Sequence, residues 1–154
     1  MITLTPIGFV RCSRTDLSDD RWDHVLTHIE LTDDMDPDAL AGLEEFSHAE
    51  ILFHFDRIPE ASVERRSRHP RGNLEWPSVG ILAQRGSARP RIRTIVAPRR
   101  LGREGRVLRV AGLDAVDGTP VVDIKPVMRE FLPREAVRQP EWVGELMCDY
   151  WSRG

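Results

Sequence analysis

The chain has 154 residues, of which 40% are hydrophobic and 31% are charged, and its net charge is −3. This composition predicts a single domain over residues 1–154 with a packed core, and it argues against a disordered chain. Because no apolar run approaches 18 residues and the strand-like segment after Met1 has no basic start, we expect a cytoplasmic protein without a membrane span or signal peptide. Cys12 and Cys148 form no CxxC pair, so we expect reduced thiols and no metal site.

The predicted elements are mostly short strands that lie between clusters of turn-forming residues. Such a pattern is typical of a mainly β protein, and we expect a small, mostly antiparallel β-barrel with short helices and a C-terminal helix. In chain order, the predicted strands are Ile2–Leu4, Ile7–Arg11, His28–Leu31, Ala49–Phe55, Val79–Gln84, Arg93–Ala97, Val107–Ala111 and Val121–Lys125.

Two segments have helical signals. The sequence Asp36-Pro37 before "DALAGLEEF" combines a capping residue with proline in the first turn, which predicts a short helix. The C-terminal "QPEWVGELMCDYW" predicts a helix on which Trp142, Leu146 and Tyr150 share one apolar face. This face is expected to pack on the barrel or on a partner subunit.

The charge is distributed unevenly along the chain. Residues 1–64 carry 4 arginines against 15 acidic residues, a net −11, whereas residues 65–109 carry 13 arginines against 2 glutamates, a net +11. An arginine-dense segment is typical of a surface that binds phosphates or another anion. The alternative is that segment 65–109 packs against the acidic segment of its own chain or of a second subunit.

The last predicted strand lies in "GLDAVDGTPVVDIKPV", residues 112–127, and has an unusual charge pattern. Because side chains alternate across a strand, Thr119, Val121, Asp123 and Lys125, the chain's only lysine, share one face. A carboxylate and an ammonium two residues apart on one face can bind the same ligand. They can equally form an ion pair that closes the barrel, and the pattern leaves both open.

This motif occurs together with "PIGFVR" at residues 6–11, "GLEEFSHAEILFHFD" at 42–56 and "VGILAQR" at 79–85. The four together resemble the TsaA-like, or TrmO, family of S-adenosylmethionine-dependent methyltransferases. Better-studied members methylate threonylcarbamoyl-adenosine beside the tRNA anticodon, and they are small β-barrels that bind the cofactor near a dimer interface. The resemblance implies a homodimeric methyltransferase that uses S-adenosylmethionine and meets tRNA through segment 65–109. A small-molecule acceptor is the alternative within enzymes, and a non-catalytic module that binds the cofactor or RNA is the alternative outside them.

The resemblance also implies a cofactor site assembled from several separated segments. Its residues would be Asp20, Arg21, Trp22, Asp56, Arg57, Arg85, Ile95, Asp117, Gly118, Thr119 and Pro120. Acidic groups suit the amino and sulfonium cations of the cofactor, and Trp22 can cover a base. A turn at Asp117-Gly118 permits close approach of the backbone to a ligand.

Candidate catalytic and substrate-binding residues follow from the same resemblance. Asp117 or Asp123 would orient the acceptor or take its proton, and Lys125 would bind an acceptor carboxylate or phosphate. The substrate-binding candidates are Arg89, Arg91 and Arg93, which alternate along a predicted strand and its loop and would contact successive phosphates. The alternative for these arginines is pairing with the acidic N-terminal half.

Overall fold

The computed structural model describes residues 2–87, 92–96 and 99–151. Within these ranges β structure dominates, which confirms the predicted fold class. The strands are β1 Gly8–Arg11, β2 Leu26–Leu31, β3 Ala49–His54, β4 Ser67–Arg68, β5 Val79–Gly80, β6 Ile92–Val96, β7 Arg99–Glu104, β8 Val107–Ala111 and β9 Pro120–Pro126. The helical segments are α1 at Glu141–Leu146 and short 3-10 turns at Pro37–Leu40, Leu43–Glu45, Glu60–Ser62, Pro70–Gly72, Ile81–Ala83 and Arg129–Phe131.

The core forms because β2 and β3 alternate apolar with polar side chains, so each strand has one apolar face. Ile29 on β2 and Ile51 and Phe53 on β3 are fully buried, whereas His28 and Glu30 lie on the exposed face of β2. The remaining core is contributed by β1, β8, β9 and the loop before β9. One apolar cluster therefore lies behind one face of the main sheet.

The main sheet has seven strands in the order β6-β3-β9-β1-β2-β8-β7, and every pairing is antiparallel. Its two edge strands, β6 and β7, are consecutive in the chain. The Cα atoms of Val96 and Arg99 are separated by only three peptide units and so lie at most about 11 Å apart. The sheet must therefore curve strongly. Barrel closure, however, needs the edge strands side by side, and no ladder joins β6 to β7 in the described residues. The expected closed barrel is thus corrected to a curved, open sheet.

Some strand predictions were wrong because the apolar pattern of a segment does not always show whether its backbone pairs with a neighbouring strand. Residues 2–4 form no strand, and Ile2 and Leu4 are largely exposed. Only Val79–Gly80 of the predicted Val79–Gln84 strand pairs, because the chain then turns into a 3-10 segment. The sequence "RRLGRE" of β7 has no apolar alternation and was not predicted, yet it pairs along β8.

The first predicted helix is wound more tightly than an α-helix, and the second is shorter than expected. After the Asp36 cap, whose side chain accepts a hydrogen bond from the Asp38 amide, the first divides into two 3-10 turns. They are separated by Gly42, which has a φ of +86°, a value that ends a helical segment. The C-terminal helix α1 ends at Leu146, and turns continue the segment to Tyr150. In the described part of the chain, no helix is long and apolar enough to cross a membrane.

We expect Gly8→Ala to reduce stability because β1 passes close to β2 at this point. A Cβ atom at Gly8 would lie 2.7 Å from the Glu30 carbonyl oxygen, and this backbone atom cannot move without displacing the strand. The expected loss is about 1–3 kcal/mol in the free energy of unfolding, measured by urea titration.

The matched control is Gly80→Ala. A Cβ atom there would meet nothing within 4 Å, and the φ of Gly80 is −54°. This substitution should change stability by less than about 1 kcal/mol, in the stabilising direction, because alanine restricts the unfolded chain. Equal effects at the two glycines would contradict the close approach of β1 to β2.

Candidate functional site

A cavity of about 630 Å³ lies where several loops meet the C-terminal segment. Its volume is in the range of small-molecule sites. Its walls come from several loops: Leu17, Ser18, Asp19 and Trp22 before β2, residues 55–58 after β3, residues 83–87, and Asp114, Val116 and Thr119 before β9. Arg68, Pro70, Arg71 and Arg93 also line it, and side chains of the C-terminal segment 139–151 supply the remaining wall. The apolar face of the C-terminal segment, which includes Trp142, Leu146 and Tyr150, therefore packs on its own chain and lines this cavity.

The loop that forms one wall is organised around Arg14. Its guanidinium donates hydrogen bonds to the carbonyl oxygens of Ser18 and Asp20 at 3.0 Å and of Arg21 at 3.2 Å. The same guanidinium lies 3.6 Å from the centroid of the Trp22 ring, and Trp22 is only 4% exposed. One arginine therefore shapes the loop and fixes a tryptophan at the cavity wall.

Contacts from two other segments fix the ends of this loop. Arg71 makes a two-bond ion pair with Asp20, at 2.8 and 3.0 Å. This geometry suits the planar guanidinium and adds orientation as well as energy. The backbone amides of Arg21 and Trp22 donate to the Tyr150 carbonyl oxygen at 3.0 and 3.3 Å. The loop is thereby tied both to the arginine-rich segment and to the C-terminal segment.

A tight turn at Val116–Thr119 closes another wall of the cavity. The Thr119 amide donates to the Val116 carbonyl oxygen at 3.2 Å, and Gly118 has a φ of +83°. Such a turn requires glycine at its third position because other residues are strained there. The Arg57 guanidinium donates to the Asp117 carbonyl oxygen and would lie 3.2 Å from a Cβ atom at Gly118. Arg57 is thus placed over the turn.

Behind this turn lies a buried charged network. The Asp114 carboxylate has only 5% of its side chain exposed and forms an ion pair with Arg93, which has 15% exposed. The Tyr150 hydroxyl donates to the same carboxylate at 2.8 Å. Arg93 also donates to the Arg85 carbonyl oxygen at 2.8 Å, and the Arg85 guanidinium donates to the Thr94 carbonyl oxygen at 2.7 Å. The network joins β6, the loop before β9 and the C-terminal segment.

Burial raises the pKa of Asp114 to about 6, although Arg93 and the Tyr150 hydroxyl both favour its charged form. Burial also raises the pKa of Tyr150, so its hydroxyl remains a donor at neutral pH. At pH 7 the site therefore presents an ionised carboxylate that a modest drop in pH protonates. A carboxyl in a cavity with a pKa this close to neutral pH is typical of functional sites.

Six of the site residues predicted from the sequence line the cavity. These are Trp22, Asp56, Arg57, Arg85, Arg93 and Thr119. Arg93 was expected to face tRNA phosphates, but its side chain is paired inside the cavity with Asp114. The other two arginines of that set, Arg89 and Arg91, lie outside the described residues.

Five further candidates support the walls without lining the cavity. They are Asp20, Arg21, Asp117, Gly118 and Pro120, which act through the contacts of the loop, the turn and the start of β9. The Asp117 side chain accepts a hydrogen bond from the Cys12 amide at 3.1 Å. Its oriented carboxylate therefore joins the turn to the end of β1. Ile95 lies in β6, and its side chain is outside the described part of the structure.

The pair of Asp123 and Lys125 does not line this cavity. The two side chains form an ion pair with each other on β9, with 39% and 53% of their area exposed. The ion pair is therefore the contact that these two side chains make here, and a role of either residue toward a ligand stays a prediction. Asp123 pairs with Leu52 and Val121 with Phe53, so Val122 is the extra residue of a bulge in β9. The bulge places Val121 in the core and Asp123 and Lys125 on the opposite face, so the predicted face shared by all three is wrong.

Sequence reasoning missed Asp114 and the role of the Tyr150 hydroxyl. A signal for Asp114 was present, because a carboxylate inside the apolar run Leu113–Val116 must be paired if that run is buried. Nothing in the sequence indicated that Arg93 and Tyr150 would be its partners. Among the described residues, no three His, Cys, Asp or Glu side chains are grouped to hold a metal ion.

The sequence model described as "tRNA-methyltransferase O N-terminal domain" matches residues 18–131, which is most of the chain. The chain belongs to this family. The match includes the Val116–Thr119 turn, β3 and the loop that contains Trp22. The α1 segment lies beyond it, so one wall of the cavity comes from outside the matched region.

Individual relatives agree with this assignment. A Pyrococcus abyssi protein named "Probable S-adenosyl-L-methionine-binding protein" is 39% identical over 101 residues, 66% of this chain and 52% of that protein. The Escherichia coli "tRNA (adenine(37)-N6)-methyltransferase" is 38% identical over 101 residues, 59% of this chain and 40% of that enzyme. The crystal structure of TrmO from Pseudomonas aeruginosa superposes with a TM-score of 0.73 at 27% identity, covering 92% of this chain and 62% of that one. The chain thus spans about half or less of these curated relatives.

The buried network predicts a specific dependence of stability on pH. Because the pKa of Asp114 is raised to about 6 in the folded state, its contribution to stability is present below the unfolded pKa and is lost as pH rises through about 6. Between pH 7.5 and pH 5, the wild type should gain roughly 1 kcal/mol in free energy of unfolding relative to Asp114→Asn. Urea titrations of both proteins at the two pH values measure this difference.

Asp114→Asn also leaves Arg93 without its partner, which costs about 3–5 kcal/mol, so only the change between pH values is diagnostic. Tyr150→Phe is the matched variant, because it keeps the carboxyl but removes a hydrogen bond that favours the charged form. Its gain on acidification should equal or exceed that of the wild type. Parallel pH curves for the wild type and Asp114→Asn would contradict a raised pKa.

Proposed function

We propose that this chain is an S-adenosylmethionine-dependent methyltransferase whose acceptor is an adenine base of tRNA. The observation that carries the proposal is the cavity, in which apolar and aromatic walls surround a few placed charges beside the Val116–Thr119 turn. Membership of the family supports it, as do the names of the relatives from Pyrococcus abyssi and Escherichia coli. The finer identity of the base, threonylcarbamoyl-adenosine, rests on the family resemblance.

The chemistry of the cavity fits S-adenosylmethionine. Its carboxylate needs a cation, which Arg57 supplies at the turn and Arg85 supplies opposite β6. Its ammonium and sulfonium groups need carboxylates or aromatic faces, and Asp56 and Trp22 line the same space. Glycine at position 118 lets the Arg57 guanidinium lie over the turn, because a Cβ atom there would crowd it at 3.2 Å. These residues would hold the cofactor.

When bound, S-adenosylmethionine supplies an electrophilic methyl group. The residues of this chain would contribute mainly by placing the acceptor in line with that group, since proximity and orientation account for much of the rate of such a transfer. Asp114 is ionised near neutral pH, so it can stabilise positive charge in the cavity or accept a released proton.

The proposed assembly is a cytoplasmic homodimer of single domains, each spanning residues 1–154. Large apolar side chains remain exposed outside the cavity, with Phe131 84% exposed and Leu132 46% exposed. An exposed cluster of this kind is a candidate for a subunit contact. Its position after β9 differs from the face of Trp142, Leu146 and Tyr150, which the sequence nominated and which packs on its own chain.

Binding of the demethylated product, S-adenosylhomocysteine, is the first test of this function. Isothermal titration calorimetry should detect binding, and ligand at about 100 times its Kd should raise the free energy of unfolding by roughly 2.7 kcal/mol. Arg57→Gln should weaken binding by about tenfold or more, because it removes a charged donor at the turn. The matched control is Arg65→Gln, since Arg65 is an exposed arginine that pairs with Glu60 outside the cavity.

No heat and no thermal shift at millimolar ligand would exclude the proposed cofactor. Binding without transfer of a labelled methyl group to tRNA or to small-molecule acceptors would indicate a non-catalytic module. Transfer only to a small molecule would retain the methyltransferase and replace its acceptor. The three outcomes are distinct in one set of measurements, because binding and turnover are recorded separately.

Dependence on salt tests tRNA as the acceptor. Each phosphate contact on a single strand contributes about 0.7 to the slope of log affinity against log salt concentration. The double variant Arg89→Gln, Arg91→Gln should therefore make the slope shallower by roughly 1.4. Salt-independent binding of tRNA by the folded wild type would contradict an RNA acceptor and favour a small one.

A further inference from the structure

The four tryptophans of the chain have different surroundings. Trp22 is buried, donates from its indole nitrogen to the Asp19 carbonyl oxygen at 3.2 Å, and has Arg14 against its ring. Trp76 donates to the Glu145 carboxylate at 2.6 Å and so connects the arginine-rich segment to α1. These two side chains are engaged in holding the fold around the cavity.

Neither Trp142 nor Trp151 has an indole hydrogen bond or an arginine against its ring among the described residues. Both line the cavity, and no hydrogen bond involves either indole nitrogen in the part of the chain that the structure describes. Trp151 is 42% exposed, which places it at the rim, where the cavity meets solvent. Exposure of a large aromatic side chain to water is unfavourable, so such a side chain at the mouth of a cavity is a candidate contact for a ligand.

The ring of Trp151 nevertheless has one aromatic neighbour that orients it. Its ring lies 4.6 Å from the ring of Tyr150 at an interplanar angle of 74°, an edge-to-face contact. Tyr150 is itself fixed by the bond from its hydroxyl to Asp114 and by two amides of the N-terminal loop. An aromatic side chain that is already oriented loses little conformational entropy when a second ring stacks on it.

We infer that Trp142 and Trp151 form a stacking site for the purine ring of the methyl acceptor, an adenine presented by an RNA loop. This inference rests on the proposed function and assigns a substrate contact within the same cavity. Unpaired bases of RNA are commonly recognised by stacking on aromatic side chains. The cofactor also contains adenine, but a base carried by RNA arrives from solvent and so meets the exposed rim.

Binding of an RNA hairpin in the absence of cofactor tests the inference. The probe is an anticodon stem-loop with one adenine on the 3′ side of the anticodon, compared with the same hairpin in which that nucleotide is abasic. Trp151→Ala should weaken binding of the adenine-containing hairpin by about 5- to 150-fold, as expected for the loss of one stacked base. Binding of the abasic hairpin should change by less than twofold, and Trp142→Ala should behave in the same way.

Conservative and matched variants separate stacking from damage to the fold. Trp151→Phe keeps an aromatic face and should retain most of the affinity. Leu74→Ala removes a large, 79% exposed apolar side chain that lines neither described cavity, and it should bind both hairpins as the wild type does. Melting temperatures of all variants identify any that do not fold.

The outcomes distinguish this inference from the proposed function. If Trp151→Ala binds both hairpins as the wild type does, the stacking site is refuted, whether or not methyl transfer occurs. If Trp151→Ala loses affinity for S-adenosylhomocysteine but not for the hairpin, the site belongs to the cofactor and the inference is overturned. If stacking is observed but no methyl is transferred, the inference stands and the proposed activity fails.

Discussion

The ion pair between Asp114 and Arg93 is the interaction on which the cavity depends. It is almost completely buried, and it joins the edge strand β6 to the loop before β9. Removing two charges from water is expensive, and further hydrogen bonds offset part of this cost, although Asp114 Oδ1 and Arg93 Nε have no partner among the described residues. The Tyr150 hydroxyl supplies one of these bonds and brings the C-terminal segment into the same network. Three parts of the chain that are distant in sequence thereby meet at one carboxylate.

A buried ion pair adds little net stability compared with an apolar contact of the same volume. Its value here is geometric, because Arg93 has a second donor that reaches the Arg85 carbonyl oxygen. Arg85 in turn bonds to the Thr94 carbonyl oxygen, so its backbone and its guanidinium are both oriented by β6. A site that must place two reacting groups within a few tenths of an ångström benefits from such over-determined side chains.

The sequence predicted the parts of the fold that local patterning controls. Strands β2, β3 and β8 alternate buried residues with more exposed ones, and their existence follows from that alternation. Strand β7 could not be found in this way, because it is an edge strand rich in arginine whose pairing with β8 comes from the chain reversal at Gly105. Barrel closure was also beyond the sequence, since it depends on which edges pair and not on any single strand.

For the site, prediction succeeded where a motif fixes a local turn and failed where the partner is remote. The turn at Asp117-Gly118 needs a positive φ at its glycine, and the Asp-Gly pair in the sequence predicts such a turn directly. Lys125 and Asp123 share a face as predicted, but the bulge at Val122 in β9 places them on the opposite face from the buried Val121. The partnership of Asp114 with Arg93 and Tyr150 joins residues 21 and 36 positions apart, and no local rule connects them.

The arginines of segment 65–109 have several different partners. Arg71 pairs with Asp20 and Arg103 pairs with Glu44, so part of the basic segment does pack against the acidic N-terminal half. Exposed pairs of this kind contribute little to stability, and the Arg71 pair is useful chiefly because it positions a wall of the cavity. Arg93 is occupied by Asp114. Arginines engaged in this way are partly neutralised, so the proposed RNA contact would use other members of the segment, and overall charge alone overestimates its strength.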